Sequence, residues 1–186
     1  MPDIKSAKVL IIASDGFEQV ELTRPQKDLT AAGAVVHVAS PDGGDIRGWD
    51  ETDWGETFKS DLKISDAKIE DYDALVLPGG QINPDVLRAD ADVVKKIKDF
   101  AATGKPVAAI CHAPWLLIEA DLVRGKRLTS FKSIRTDLKN AGADAVDAEV
   151  ATDGNLITSR NPGDLDAFCK AIVAAIESGT DGSQAA

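Results

Sequence analysis

One grouping in the sequence could do covalent chemistry. Val107-Ala108-Ala109-Ile110 is a short apolar run that stops at Cys111, and His112, Ala113 and Pro114 precede a helix-like stretch at 115–120. The pattern reads as strand, sharp turn and helix, with the thiol at the apex. Ala109 and Ala113, two residues either side of the cysteine, are both small. A strained strand-to-helix turn requires that where its flanks converge; it is the logic of the hydrolase nucleophile elbow, with sulfur in place of oxygen. The positive end of the new helix favours thiolate over thiol. The competing reading is a buried, inert cysteine, since free cysteine packs as a small hydrophobe. These eight residues leave the two readings in balance.

A nucleophilic thiol needs a base or a lowered pKa, and a place for the developing oxyanion. By elbow geometry the amide of His112 is one oxyanion donor. Pro78-Gly79-Gly80 ends another apolar run, and the Gly80 amide is the natural second donor, unless these glycines make only a tight turn. The base is harder to find, because His37 and His112 are the only histidines. His37 falls inside a strand-like run and reads as structural. His112 adjoins the cysteine, and neighbouring side chains on a turn tend to diverge. Either a carboxylic acid handles the proton, or a group from another subunit orients His112. Glu18, two residues after Gly16, is the carboxyl best placed to approach Cys111; a buried carboxyl beside sulfur is pushed toward its neutral form. The alternative for Glu18 is a solvated first-turn acid that favours the helix dipole.

The elements around these residues follow from hydrophobic pattern. Lys8-Val9-Leu10-Ile11-Ile12-Ala13, residues 34–39, Asp73-Ala74-Leu75-Val76-Leu77 and Val107–Ile110 are near-continuous apolar runs, typical of strands buried on both faces. Ser14-Asp15-Gly16 breaks the first run, and a helix is expected to follow through about Ala32, closed by Gly33, with Pro25 either in its first turn or kinking it. Val93, Val94, Ile97, Phe100 and Ala101 recur at helical spacing, as do Leu165, Phe168, Cys169, Ile172, Val173 and Ile176 within a last helix at 164–177. Cys169 lies on that stripe and is assigned to the core. Residues 127–130 suggest a fifth short strand, 134–141 a helix, and Asp153-Gly154 a hairpin turn. Residues 45–65, with Trp49 and Trp54, read as an inserted hairpin or loop that covers the site or builds an interface, or as aromatic plugs beneath a long loop. Strands alternating with helices give an α/β fold: a flavodoxin-like sandwich, a mostly parallel sheet with helices on both faces. Ligands bind such sheets beyond the carboxyl ends of the strands. The turns at Ser14, Pro78 and Cys111 all fall there.

The bulk composition excludes several classes. With 186 residues the chain is expected to form a single domain over 1–178, followed by a flexible polar tail at 179–186. Lys plus Arg is 21 against 31 Asp plus Glu, a net charge of -10. That argues against nucleic acid or an anionic membrane as a partner. No apolar run reaches membrane-spanning length and no signal segment opens the chain, so a cytoplasmic protein is expected. Two cysteines and two histidines show no metal-ligand spacing. No cofactor motif is present either, since Gly79-Gly80 lacks the further glycines and lysine of a phosphate loop.

Phe17-Glu18-Gln19-Val20-Glu21-Leu22, the run from Asp73 to Gly80, Ala109-Ile110-Cys111-His112 and the run from Thr158 to Leu165 together resemble the ThiJ/PfpI family. The likeness is to its branch of intracellular proteases and general stress proteins, related in fold to class I glutamine amidotransferases. The resemblance implies a reactive Cys111 at the elbow and a glutamate, matched to Glu18, touching its sulfur. It further implies a homo-oligomer, dimer or hexamer, in which His112 meets an acid from a neighbouring subunit. Asp85 in Gln81-Ile82-Asn83-Pro84-Asp85-Val86-Leu87-Arg88 is the match for that acid, with one residue inserted. Ala113 stands where glycine is usual. The function implied is a stress-protective glyoxalase or deglycase acting on a small carbonyl or a glycated protein. Alternatives are a peptidase with an intersubunit Cys111–His112–Asp85 triad and a redox sensor oxidised at Cys111. Ammonia release from glutamine is disfavoured, because no histidine follows His112.

Overall fold

The computed structural model describes residues 3–179; the tail expected at 179–186 lies outside them except for Gly179. The chain runs through β1 (Lys8–Ile12), β2 (Phe17–Glu18), α1 (Gln19–Ala32), β3 (Val35–Ser40), β4 (Ile46–Asp50), β5 (Asp53–Phe58), β6 (Leu62–Lys63), β7 (Ala74–Leu77), α2 (Ile82–Arg88) and α3 (Ala91–Ala102). It continues through β8 (Val107–Ile110), α4 (Pro114–Glu119), β9 (Arg127–Leu128), α5 (Arg135–Asn140), β10 (Asp144–Ala145), β11 (Val150–Asp153), β12 (Leu156–Ser159) and α6 (Leu165–Ser178).

Seven strands form the central sheet in the order β11-β12-β8-β7-β1-β3-β6. Its pairings are parallel except β11 with β12, the hairpin expected at Asp153-Gly154. Period-two alternation sends Val9, Ile11, Val76, Ala108 and Ile110 to one face, under α1 and α6. Leu10, Ile12, Leu75, Leu77, Val107 and Ala109 go to the other, under α2 to α5. The mostly parallel sandwich expected from the apolar runs is therefore the fold.

Three local expectations become specific. β9 pairs with β10 in a small parallel ladder of its own instead of joining the main sheet. The Trp49–Trp54 segment is a hairpin, β4–β5, and its β4 edge pairs in parallel with β2 through Phe17↔Gly48 and Glu18↔Trp49. Pro25 sits beyond the first turn of α1, where it removes the donor that would reach the Glu21 carbonyl. Gly33 closes that helix at φ 111°, as its lack of a side chain allows. Cys169 is buried on α6, its thiol pushed up to about 12, chiefly by burial.

The order reverses at β1: the chain moves first to β3 on one side and returns to β7 on the other. The loops after β1 and β7 diverge there, which opens a crevice at the carboxyl edge. The loop after β8 brings Cys111 to the same edge.

Candidate active site

Cys111 has φ 63°, the left-handed region that costs a non-glycine residue about 1–3 kcal/mol. Two backbone bonds hold it there. Its N–H donates to the Ser159 carbonyl at 3.0 Å, and the Phe131 N–H donates to the Cys111 carbonyl at 2.8 Å. Ala109 and Ala113 are wholly buried against the turn, as their small size anticipates. The thiol is buried but reaches a cleft of about 440 Å³.

Gly79 is there because three groups crowd its α-carbon. A Cβ would lie 2.6 Å from Glu21 Oε2, 2.7 Å from Cys111 Cβ and 2.8 Å from the Ile110 carbonyl. Its N–H donates to Glu21 Oε2 at 2.9 Å. The Gly80 and His112 backbone N–H groups are directed at the Cys111 sulfur.

The carboxyl set against the sulfur is Glu21, not Glu18. Glu21 has no exposed surface, and it and the Cys111 thiol act directly on each other. Its Oε1 has no hydrogen-bond partner of ordinary geometry. Burial foremost, with help from the Glu18 charge, pushes it up to about 8, against the Gly79 N–H that favours its ionised form. Glu18 lies in β2 at the cleft's rim, half-buried, where its Oε1 accepts from the Glu51 N–H at 3.4 Å. Burial, then the charges of Asp50 and Glu51, raise its pKa too. The difference is one helical turn: Glu18 is the last extended residue, and Glu21 lies inside α1 on the stripe of Leu22, Pro25 and Leu29. A carboxyl on that apolar stripe was the missed signal.

Helix-end stabilisation of a thiolate does not win at Cys111. Burial, then the Glu21 charge, raises the thiol, and the two backbone N–H groups only partly offset them. The helix that follows has six residues, so its dipole is weak.

His112 does not diverge from the cysteine. Its Nδ1 lies 3.1 Å from Cys111 Sγ, because the left-handed turn places the two side chains on one side. Nε2 lies 3.1 Å from Ser133 Oγ. The ring stacks on Phe131 at 4.8 Å and meets the edge of Trp115 at 5.3 Å. Burial lowers its pKa and keeps it neutral. Asp85 does not approach this ring within the chain; its carboxylate faces solvent on α2 and pairs with Arg88 at 3.0 Å.

Sequence reasoning also missed Asn83. It is wholly buried, accepts from the Ser14 N–H at 2.7 Å and donates to the Pro78 and Gly79 carbonyls at 2.8 and 3.1 Å. One amide thereby clamps the diverging loops after β1 and β7. Trp49, from the hairpin, and Phe131 wall the cleft, with Ile82 and Pro162 at its margins.

A sequence model described as the DJ-1/PfpI family matches residues 7–175. The chain belongs to the DJ-1/PfpI family. It is 44% identical over 166 residues to deglycase TK1284 of Thermococcus kodakarensis, covering 89% of this chain and 97% of that one. It is 45% identical over 164 residues to YraA of Bacillus subtilis, provisionally named a cysteine protease, covering 88% and 94%. The crystal structure of Drosophila melanogaster DJ-1beta superimposes with a TM-score of 0.83 at 29% identity, covering 97% of this chain and 99% of that one. Among the described residues of this DJ-1/PfpI chain, no helix is long and apolar enough to cross a membrane. The same residues contain no group of three or more His, Cys, Asp or Glu side chains that could hold a metal ion.

Proposed function

We propose that this chain is a cysteine-dependent enzyme acting on small reactive carbonyls or on the adducts they form with amines, in the manner of a glyoxalase or deglycase. The observation that carries this reading is the buried Glu21 carboxyl placed against Cys111 Sγ. Acyl transfer from a peptide needs a thiol, a base and an oxyanion site. A second proton-handling group at the nucleophile suits chemistry in which a proton also moves next to a carbonyl. The cleft, about 440 Å³, suits a small molecule. The deglycase name of the Thermococcus relative supports the same class.

In the first step Cys111 Sγ attacks an aldehyde carbon. A carbon–sulfur bond forms, the carbonyl π pair moves to oxygen, and the thiol proton passes to His112 Nδ1. The Gly80 and His112 amides hold the oxygen, which then takes the proton back to give a hemithioacetal. With a dicarbonyl, the Glu21 carboxyl gives its proton to the second carbonyl oxygen and then, as carboxylate, removes the hydrogen on the attacked carbon. It returns that proton to the adjacent carbon and takes up the hydroxyl proton of the attacked carbon, which leaves a thioester and restores the carboxyl; water cleaves the thioester to a 2-hydroxy acid and free thiol. With a hemiaminal adduct, the carbon–nitrogen bond breaks as the carbon–sulfur bond forms, the amine leaves with the thiol proton carried by His112, and the same hemithioacetal results.

The test is lactate formation from methylglyoxal, and amine release from methylglyoxal-treated N-acetyl-lysine, with Cys111→Ala beside the native protein. Turnover that disappears in the variant supports the proposal; equal rates refute it. The close Cys111–His112 pair and the name of the Bacillus relative favour one second reading, a cysteine peptidase. Cysteine-dependent cleavage of fluorogenic peptides, without carbonyl turnover, would establish it instead. Either enzyme is expected to assemble as a homo-oligomer, in keeping with Ile82 and Val86 exposed on α2.

A further inference from the structure

Among the described residues His112 Nε2 has one hydrogen-bond partner, and it was not among the residues that the sequence suggested. Ser133 Oγ lies 3.1 Å from it, in the single turn (Lys132–Ile134) that leads into α5. The ring is otherwise fixed by Phe131 on its face and Trp115 on its edge. Phe131, whose N–H holds the Cys111 carbonyl, starts the same segment. The ionisable groups that line the cleft beside His112 are Cys111, Glu21, Glu18 and Glu51. On the outer side, Arg88 and Asp137 are held off by Trp115. The Arg88 guanidinium lies 4.6 Å over the indole, and the Trp115 Nε1–H donates to Asp137 at 2.8 Å.

A neutral imidazole carries one N–H, and the partner of one nitrogen decides the role of the other. The proton order across the site follows from the contacts. A protonated Glu21 carboxyl can donate to Sγ, and the thiol then has its own proton to place. Nδ1, at 3.1 Å, is the acceptor available to it. For Nδ1 to accept, the ring proton must be on Nε2, and it then needs an acceptor itself. Ser133 Oγ is in that position. Each donor from Glu21 to Ser133 is thereby matched to one acceptor.

We propose that Ser133 is a positioning residue of this site: its hydroxyl accepts from His112 Nε2–H and so keeps the Nδ1 lone pair aimed at the Cys111 thiol. When the proton crosses from Sγ to Nδ1, the electron pair stays on sulfur. The new Nδ1–H then faces the thiolate, while Nε2–H stays bonded to Ser133. One chain thus supplies the thiol, its base and the group that orients the base, a task that the sequence assigned to Asp85 of a second subunit. The proposal rests on Cys111 being the nucleophile, not on which substrate it attacks.

Two readouts test it without substrate. The first is the ring tautomer, from long-range nitrogen–proton spectra; with two histidines, His37→Gln assigns the signals. The native protein should show the Nε2–H tautomer. The Nδ1–H tautomer in the native protein would overturn the proposal, whatever the variants do. The second is the rate of Cys111 alkylation by iodoacetamide against pH, in a Cys169→Ala background. Ser133→Ala should lose the tautomer preference and slow alkylation near pH 7 by about three- to tenfold, the scale of one lost hydrogen bond. Ser133→Thr should restore both. A Ser133→Ala protein with native tautomer and native profile would refute the role. Because alkylation does not depend on turnover, failure of the carbonyl assay would leave this result standing.

Discussion

Replacing Glu21 by glutamine should make this protein more stable and at the same time inactive. The carboxyl ordinarily ionises near 4.5 but is held up to about 8 in the fold. Between those values the unfolded chain has lost the proton and the folded chain keeps it. Stability is therefore undiminished by Glu21 below about pH 4.5, falls as pH rises, and levels off above about pH 8. At 1.36 kcal/mol per unit, the penalty near pH 7 is roughly 3 kcal/mol. Glutamine has the same shape, still accepts the Gly79 N–H and does not ionise. It brings one surplus N–H into a buried site, at a cost of about 1 kcal/mol. The net gain near pH 7 is about 2 kcal/mol, or roughly 4–8 °C in Tm for a chain of this length. Thermal unfolding of both proteins from about pH 5 to 8 is the assay. All other titrating groups are shared and cancel in the difference. The gap should widen with pH and close near pH 5, where the surplus N–H leaves the variant no better than the native protein. A difference that stays flat across the range would show that Glu21 is already ionised in the fold, and the proton order drawn above would be wrong.

Other perturbations have equally definite outcomes. Asn83→Ala leaves the Ser14 N–H and the Pro78 and Gly79 carbonyls without their side-chain partner, and should cost about 2–4 kcal/mol in denaturant unfolding. Gly79→Ala forces a Cβ into Glu21, Cys111 and the Ile110 carbonyl; thiol alkylation should fall more than tenfold, and retention of the native rate would contradict the crowding. Because burial and Glu21 both raise the thiol, native Cys111 alkylation should keep rising with pH beyond about 8. A plateau at neutral pH, measured by intact mass, would show a thiolate already formed.

The sheet was legible because β1, β7 and β8 are buried on both faces, so their sequences are apolar runs that no other element would produce. The elbow was legible for a related reason: Ala109, Cys111 and Ala113 encode a turn that tolerates little else. Gly79 and Gly80 could be placed beside the cysteine but not explained, since the atoms that crowd them, from Glu21, Cys111 and Ile110 at Gly79 and from the backbone of Gly16, Phe17 and Glu18 at Gly80, lie far off in the sequence. The carboxyl itself was misassigned because Glu18 and Glu21 both sit at a strand-to-helix boundary. Only the helix phase shows that the second points inward, with Leu22 and Pro25. Asn83 and Ser133 left no pattern. One acts across 69 residues on Ser14 and the other across 21 on His112, and a single polar side chain carries no periodicity. The adjacency of Cys111 and His112 misled in the opposite direction, because the rule that neighbours diverge assumes ordinary backbone, and Cys111 is left-handed.

The pairing of β2 with β4 divides the molecule's labour. The thiol, the buried carboxyl and the amides stand on the central sheet and α1, where a shift of one atom is felt throughout a packed core. The Trp49 wall stands on a separate three-stranded ribbon, joined to this apparatus along Phe17 and Glu18 and by the hydrogen bonds of Arg47 to Asp15 and Gly16 and of Glu56 to Gln19. Mutations in β4 and β5 can therefore reshape what enters the cleft while the reacting atoms stay in register. A lineage built on this plan can change its diet without relearning its chemistry.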